Sequence, residues 1–447
     1  MKKSILLTIA IFLTGAAIHA QSVQGGQFLD GYHFGYRLNP AVTPETDIRS
    51  GLMNSFGVKT RSNFGISNFI FPVEDHLATG LNRHVPTETF LGGLQDINTL
   101  IGSADVGLFA RGFRRGKFYH TIDINVRSND LAVLPYDLMA FLKLGENGKE
   151  VYDLSSFHVN SSNYLEIAYG IAWKAGRFRY GARIKPLFGI SRLNSRLNSF
   201  SIDMLDPDNW KINAQAEIAI AGNQFSSKTR EDDGAKVFNL RSIGFKLFRP
   251  AIAGLGMAAD LGVQWQANDY LDLGFSVLDI GMIGWFNKVF ARTPAVTLEY
   301  TPATETSETT DNKEVSNSIL DLAKFYVQDK KNSVTRLPMS VAATARMKMP
   351  FYEKLSFGVS GQLRNSPDFT NVEGRFHTIW SPLSWLSTTV SVGCDMYGWD
   401  GGVAANFSTK EFTFFIGTDS YIFRVTPQMI PAGKANASIA FGISHAL

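Results

Sequence analysis

Four basic residues occupy alternate positions on one predicted strand: Arg177, Arg179, Arg183 and Lys185. Side chains two residues apart in an extended strand point to the same face, so these four would form a cationic strip. A strip of this kind favours anions or carboxylates where it lines a channel. The alternative is charge balance, because Glu166 on the preceding predicted strand would face Lys185. We take these five residues as candidate lumen-lining residues.

Sequence patterns that indicate catalysis or metal binding are absent. The histidines after residue 20 are scattered, without the spacing of a zinc site. No Gly-x-Ser-x-Gly elbow occurs. Residues 254–259 satisfy a loose dinucleotide fingerprint, but the residues after them alternate as a strand instead of opening a helix. We expect no enzyme, and no catalytic residue, cofactor or metal. The alternative is a serine and a histidine that only the fold brings together, as at a barrel rim.

The stretch 163–190 is the clearest secondary-structure signal. Large apolar residues occupy every second position on both sides of Ala175-Gly176, with small or charged residues between them. This period indicates two long strands joined by a tight turn. A soluble sandwich would bury the apolar face and leave the other wet. Outer-membrane strands need ~9–11 residues with apolar side chains outward. The usual globular strand has only about 5–6 residues, so we favour a membrane barrel.

The same alternation recurs along the chain and predicts 14 strands, an even number as bacterial barrels require. They are 52–70, 104–112, 117–127, 163–174, 177–190, 258–266, 270–282, 335–349, 354–365, 371–380, 386–397, 401–408, 412–418 and 435–445. Short connections alternate with long ones, which are typical of periplasmic turns and extracellular loops. We predict an all-β fold, a transmembrane antiparallel β-barrel with long extracellular loops. Within the loops, residues 200–220 predict a hairpin, and 131–144 and 319–327 predict short helices.

Residues 1–20 predict a secretion signal, since Lys2-Lys3 precede a short apolar run and Ala20 fits a cleavage site. Without those two lysines, 41 basic residues face 40 acidic ones, a balance that offers nothing to nucleic acid. Cys394 is the one cysteine, so no internal disulfide forms. We expect export, insertion by the barrel-assembly machinery and residence in the lipid bilayer of the outer membrane.

Residues 21–50 lack the strand period and precede the first predicted strand. They contain Gly25-Gly26, several aromatic residues and the tripeptide Asn39-Pro40-Ala41. Pro40 disfavours a central ladder position, and Asn39 can fix a turn through its own backbone. We predict a hatch over 21–50 folded into the lumen of a barrel formed by 51–447.

The tripeptide Asn39-Pro40-Ala41 resembles one in the N-terminal hatch of long-chain fatty-acid transporter (FadL-like) barrels. Residues 254–263, the later Leu278-Asp279-Ile280-Gly281 and Leu337-Pro338 resemble an uncharacterised family of outer-membrane barrels, known as a domain of unknown function, within the same superfamily. The resemblance implies a barrel with a lumenal hatch and leaves the substrate open. Residues that select fatty acids cannot be matched in this sequence.

Two functions are compatible with these features. The first is passive transport of a small hydrophobic or amphipathic molecule past the hatch, without a cofactor. The alternative is an interaction or shuttle barrel, whose extracellular loops bind exported proteins. A path through the lumen would favour transport, whereas a sealed interior of neutral net charge would favour the alternative.

Overall fold

The computed structural model describes residues 23–51, 53–74, 76–145, 148–206, 210–226, 229–232, 235–238, 244–245, 251–294, 296–300, 325–328, 332–421, 434 and 436–447. The predicted signal, residues 1–20, lies outside this part of the chain. No described helix is long and apolar enough to cross a membrane.

Strands dominate the structure. The first fourteen are β1 (Ile48–Ser50), β2 (Ser55–Ser62), β3 (Ile70–Val73), β4 (His76–Thr79), β5 (Ile97–Arg115), β6 (Phe118–Pro135), β7 (Val151–Asp153), β8 (His158–Ala175), β9 (Phe178–Asp203), β10 (Trp210–Ala221), β11 (Phe225–Ser226), β12 (Thr229–Asp232), β13 (Ala235–Phe238) and β14 (Gly244–Phe245). The others are β15 (Gly254–Gln266), β16 (Leu271–Trp285), β17 (Asn287–Arg292), β18 (Val296–Tyr300), β19 (Phe325–Val327), β20 (Ser333–Arg336), β21 (Met339–Lys348), β22 (Leu355–Ser366), β23 (Phe369–Leu383), β24 (Leu386–Asp395), β25 (Gly398–Ser408), β26 (Phe412–Thr418) and β27 (Ala437–Ala446). The described helices are α1 (Thr87–Leu91), α2 (Tyr136–Leu144) and the 3-10 turns η1 (Gln24–Phe28), η2 (Gly35–Arg37) and η3 (Ile66–Asn68).

Fourteen antiparallel barrel strands close on themselves, which confirms the predicted fold class and strand number. Their order is β1 with β2, β5, β6, β8, β9, β15, β16, β20 with β21, and β22 to β27. The ring closes where β27 pairs with β2, with Phe441 opposite Phe56. The first barrel strand starts at Ile48, earlier than predicted, because an irregular break between β1 and β2 interrupts its alternation.

The connections alternate between the two ends of the barrel. One end, here the short-turn end, carries tight turns such as 116–117 and 176–177, together with the last residues of β27. The opposite, long-loop end carries the connections 63–96, 136–157, 204–253, 286–332 and 419–436, with short turns only at 367–368 and 396–397. The predicted alternation of short and long connections is present in these segments.

The outer face of the barrel is apolar. Many of its large side chains are exposed, among them Ile184, Met257, Leu261, Val359, Phe376, Val390 and Ile439. Aromatic rings gather near the short turns, where Trp173 lies 5.6 Å from Tyr180 and Phe178 lies 5.7 Å from Trp265. An apolar belt with an aromatic border is the surface that a lipid bilayer requires.

A crown extends beyond the barrel at the long-loop end. Residues 178–189 of β9 pair with β15, while residues 192–203 diverge and form the predicted hairpin with β10. The predicted helix over 131–144 is wrong in its first part, because residues through Pro135 pair with β5 and only Tyr136–Leu144 is helical. In the stretch 319–327, residues 319–324 lie outside the described part. Phe325–Val327 is a strand instead of a helix, because it pairs with β17.

The outward assignment predicts different outcomes for two substitutions at Val390, which is 60% exposed in the middle of β24. Val390→Arg should destabilise the folded barrel by about 2–4 kcal/mol, because an arginine at mid-membrane depth faces hydrocarbon. Val390→Leu should leave stability nearly unchanged. Equilibrium unfolding in urea in lipid vesicles measures both, and equal stability of the two variants would contradict the assignment.

Candidate functional site

Residues 23–47, here called the inner segment, lie inside the barrel at its short-turn half. Asn39, Pro40 and Ala41 are all buried. They lie against two inward-facing glycines, because a Cβ added to Gly181 would collide with the Pro40 carbonyl, and one added to Gly262 would collide with the Asn39 side chain. The wall therefore has no side chains where the tripeptide passes, and the Asn39 amide donates to the Val263 carbonyl at 3.2 Å.

Aromatic side chains fill the contact between the inner segment and the opposite wall. The Tyr32 ring lies 4.6 Å from the Phe415 ring, and the Phe28 ring lies 4.5 Å from that of His377. Phe34 is also buried in this cluster. The burial of these rings makes the inner segment a packed plug instead of a loose tail.

Three polar contacts hold the inner segment to different parts of the wall. Nearest the short turns, Asp30 pairs with Arg346 at 2.9 Å. The backbone N–H of Gln24 donates to Asp419 at 2.8 Å. On the opposite side, the Arg37 guanidinium lies 2.7 Å from Asp123. Each of the three contacts uses a side chain of the wall, and the hydrogen bonds from the backbone of residues 23–42 to other backbone groups stay within the inner segment.

Two titratable groups of the inner segment respond to this burial. Burial lowers the pKa of His33 to about 4, so its ring is neutral at neutral pH and its Nδ1 lies 2.8 Å from the Ser444 hydroxyl. Burial alone would raise the pKa of Asp30, but the charge of Arg346 holds that pKa below its ordinary value.

A buried ionic network lies directly above the inner segment. It contains four cations and five carboxylates: Arg37, Arg127, Arg183 and Lys185 with Asp105, Asp123, Glu166, Asp260 and Asp279. Asp123 is shared, since one oxygen accepts from Arg37 of the inner segment and the other from Arg183 of the wall at 2.8 Å. Lys185 lies 2.5 Å from both Asp260 and Asp279.

A β-bulge turns Asp279 inward beside Asp260, which already faces the lumen in the alternation of β15. The register between β15 and β16 shifts around Asp260, and Asp279 has a positive φ of 62°. A positive φ is strained for a residue with a side chain. Leu278 and Asp279 are both buried although they are adjacent. Sequence reasoning did not identify Asp260 or Asp279 as site residues. The alternation of β15 places Asp260 inward, and this was the signal in the sequence. Asp279 gave no such signal, because a bulge has no sequence period.

A second ionic network lies on the other side of the lumen. Glu373 accepts from Lys59 at 2.8 Å and from Arg375 at 2.9 Å, and Arg61 contacts both Glu373 and Asp400. Asp395 and Asp419 complete its acidic side. The lumen therefore carries many charges that are matched by neighbours of opposite sign.

The five predicted lumen residues divide into two groups. Glu166, Arg183 and Lys185 belong to the first network, with Lys185 3.8 Å from Glu166. Arg179 is half-buried closer to the turn, and Arg177 is exposed at the turn, where it donates to the Ala267 carbonyl at 3.0 Å. A continuous cationic strip does not form, because the buried basic residues are paired with carboxylates. Charge balance is the interpretation that fits this geometry.

Three cavities follow one another along the lumen. The outer cavity and the middle cavity share Ile101, Arg364 and Phe369. The middle and deep cavities share Lys59 and Gln362. The deep cavity is lined by Gln24, Arg37 and Leu38 of the inner segment and by the first ionic network. The inner segment thus forms the floor of the series.

A family model described as a family of unknown function, DUF5723, matches residues 40–419. No curated protein matches the sequence. Among solved structures, the toluene transporter TbuX of Ralstonia pickettii shares 9% identity, with 93% of each chain covered and a TM-score of 0.44. The toluene transporter TodX of Pseudomonas putida shares 9% identity, with 96% of this chain and 99% of that chain covered and a TM-score of 0.43. A FadL homologue of Pseudomonas aeruginosa shares 10%, with 94% and 96% covered and a TM-score of 0.42. These identities are too low to transfer a substrate.

The shared carboxylate of Asp123 predicts a large loss of stability in Asp123→Asn. Removing one partner of a buried ion pair leaves the other charge uncompensated, which costs about 3–5 kcal/mol. Asp137→Asn is the matched control, because Asp137 pairs with the half-exposed Lys149 on the crown and should cost at most about 1 kcal/mol. Urea unfolding followed by tryptophan fluorescence compares them, and similar losses in the two variants would contradict the role of Asp123.

Proposed function

We propose that this chain, which belongs to the DUF5723 family of unknown function, is an outer-membrane barrel for passive passage of a small amphipathic molecule. The short-turn end faces the periplasm in this proposal, since short turns and chain termini lie there in bacterial barrels. The predicted secretion signal and insertion by the barrel-assembly machinery belong to the same proposal. The inner segment acts as the hatch that occludes the lumen.

The observation that carries the proposal is the series of three cavities above the inner segment. Neighbouring cavities share lining residues, so they lie next to one another from the long-loop end down to the inner segment. Below the deep cavity, the way to the periplasm is filled by residues 23–47. A protein that serves only as a sealed scaffold does not require a series of adjacent cavities that ends at the inner segment.

The contacts of the hatch are suited to release. A strand locked in a ladder would lose many backbone-to-backbone hydrogen bonds on leaving, whereas those of residues 23–42 are internal to the hatch. The hatch backbone is held to the wall by side chains instead, as where Gln24 N–H donates to Asp419 and Ser276 donates to the Leu38 carbonyl. Asp123 keeps Arg183 as a partner when Arg37 leaves, so displacement does not strand a buried carboxylate. These features support a hatch that moves without unfolding the wall.

The walls of the cavities favour a solute with both polar and apolar parts. In the outer cavity, Ile101, Leu131 and Phe369 supply apolar contact, while Asn160 and Arg364 supply polar groups. A molecule with a single apolar surface would leave these polar groups without partners, and a fully polar one would forgo the apolar contact.

The second candidate is the interaction or shuttle barrel. It is favoured by apolar side chains exposed on the crown, since Leu77 and Leu205 are 65% and 62% exposed. Exposed apolar patches often mark protein-binding surfaces. In that case the inner segment would be a permanent part of the core, and its removal would open no conducting path.

Deletion of residues 22–45 with the signal retained separates the two candidates. The barrel should still assemble, because its ladder begins at Ile48, and single-channel conductance in planar bilayers should rise several-fold as the lumen opens. Deletion of residues 205–209, which connect β9 to β10 in the sequence, is the control and should leave conductance at the level of the intact chain. An assembled hatch deletion with unchanged conductance would rule out the hatch and favour the interaction barrel.

A further inference from the structure

Arg364 is a half-buried cation outside the two ionic networks. It lies on β22 and lines both the outer and the middle cavity. One guanidinium nitrogen donates to the Asn129 side chain at 2.8 Å, and the guanidinium stands 5.7 Å from the centre of the Phe369 ring. Among the described residues it has no carboxylate partner, and its Nε has no hydrogen-bond partner. A positioned arginine of this kind is suited to bind a carboxylate with its planar fork.

Other buried polar atoms around the same cavities also lack partners in the described part of the chain. In the outer cavity these are Asn160 Oδ1, Thr335 Oγ1 and Trp285 Nε1. In the middle cavity they are Ser103 Oγ and Asn371 Oδ1. Buried polar groups are normally hydrogen-bonded, and each that is not costs about 1–3 kcal/mol. Their concentration around two joined cavities points to a ligand that completes them.

The chemistry of these atoms defines that ligand. The two asparagine oxygens accept hydrogen bonds and need donors, while Trp285 Nε1 and Arg364 Nε donate and need acceptors. Asp130, Arg336 and Asp368 also line the outer cavity, so the match to a negative charge is local to the guanidinium of Arg364, whose Nε lacks a partner. Hydroxyl groups both donate and accept, so a chain or ring of hydroxyls satisfies the neutral atoms, and its carbon face can pack on Phe369.

We propose that the outer and middle cavities form a binding site for a small hydroxylated monocarboxylate, the chemistry of a sugar acid. This inference deepens the proposed function by naming the class of solute, and its route to the periplasm rests on that function. A hydrocarbon would satisfy none of the five neutral polar atoms or the guanidinium. A fatty acid would satisfy Arg364 and leave the asparagine oxygens bare.

Calorimetric titration of the full chain in detergent tests the site with three probes. D-gluconate carries both the carboxylate and the hydroxyls, hexanoate carries only the carboxylate, and D-glucose carries only the hydroxyls. Gluconate should bind at least about tenfold more tightly than either, because a site built for hydrogen bonds rejects analogues that lack them. Equal affinity for hexanoate, equal affinity for glucose, or no gluconate binding by the folded chain would overturn the proposal.

Variants locate the binding site within the barrel. Arg364→Gln should weaken gluconate binding at least about tenfold, and Thr335→Val should weaken gluconate without affecting hexanoate. Arg177→Gln is the matched arginine control, since Arg177 lies exposed at a turn. Heat-modifiable gel mobility verifies that each variant is folded, and Arg364→Lys keeps the charge if Arg364→Gln fails to fold. Unchanged gluconate affinity in both Arg364 variants would overturn the assignment.

The two proposals fail separately. Gluconate binding without a rise in conductance on hatch deletion would leave the binding site standing and overturn transport. A rise in conductance without gluconate binding would leave the hatch standing and overturn the sugar-acid site.

Discussion

The structure depends on one constraint, which is that charges enclosed in the barrel must be neutralised without bulk water. Asp123 shows how this is done, because its two oxygens accept from Arg37 of the hatch and Arg183 of the wall. The hatch is therefore part of the electrostatic balance of the lumen and not an independent plug. Buried ion pairs contribute little net stability compared with apolar packing, but breaking one is costly. They thus fix where the hatch sits more than how stable the barrel is.

The lumen is filled by packed side chains near the short turns and by paired charges above them. Near the short turns, glycines in the wall admit the Asn39-Pro40-Ala41 backbone, and aromatic rings such as Tyr32 and Phe415 fill the opposite side. The ionic networks and the cavities lie above these aromatic rings, toward the long-loop end. In the proposed transport, the filled layer resists leakage and the layer above offers polar groups to a solute. In this upper layer Arg364 has no carboxylate partner among the described residues, whereas Arg127 and Arg375 are paired with carboxylates.

The alternation of side chains predicted the barrel and its 14 strands because each wall residue faces either lipid or lumen, and that choice repeats every two residues. The predicted hairpin register is two residues off, because Glu166 lies opposite Leu187 instead of Lys185. The two charges still lie 3.8 Å apart. Asp279 could not be placed from the sequence, because a bulge turns it inward against the period. Arg177 has the same parity as the inward-facing residues of β9, but it lies exposed in the turn before that strand. The crown was the least predictable part, since pairing partners far apart in sequence decided between helix and strand at Leu131–Pro135 and Phe325–Val327.

In the proposed transport, the hatch must move for a solute to pass. The most direct test joins it reversibly to the wall where the Ser276 hydroxyl donates to the Leu38 carbonyl at 2.9 Å. Leu38→Cys and Ser276→Cys in a Cys394→Ser background, bridged by a cleavable bifunctional thiol reagent, would hold the hatch in place. Solute flux into proteoliposomes should stop when the reagent bridges the two cysteines and return when the reagent is cleaved. Each single-cysteine variant, treated with the same reagent, should keep its flux. Undiminished flux through the fully bridged protein would contradict the account.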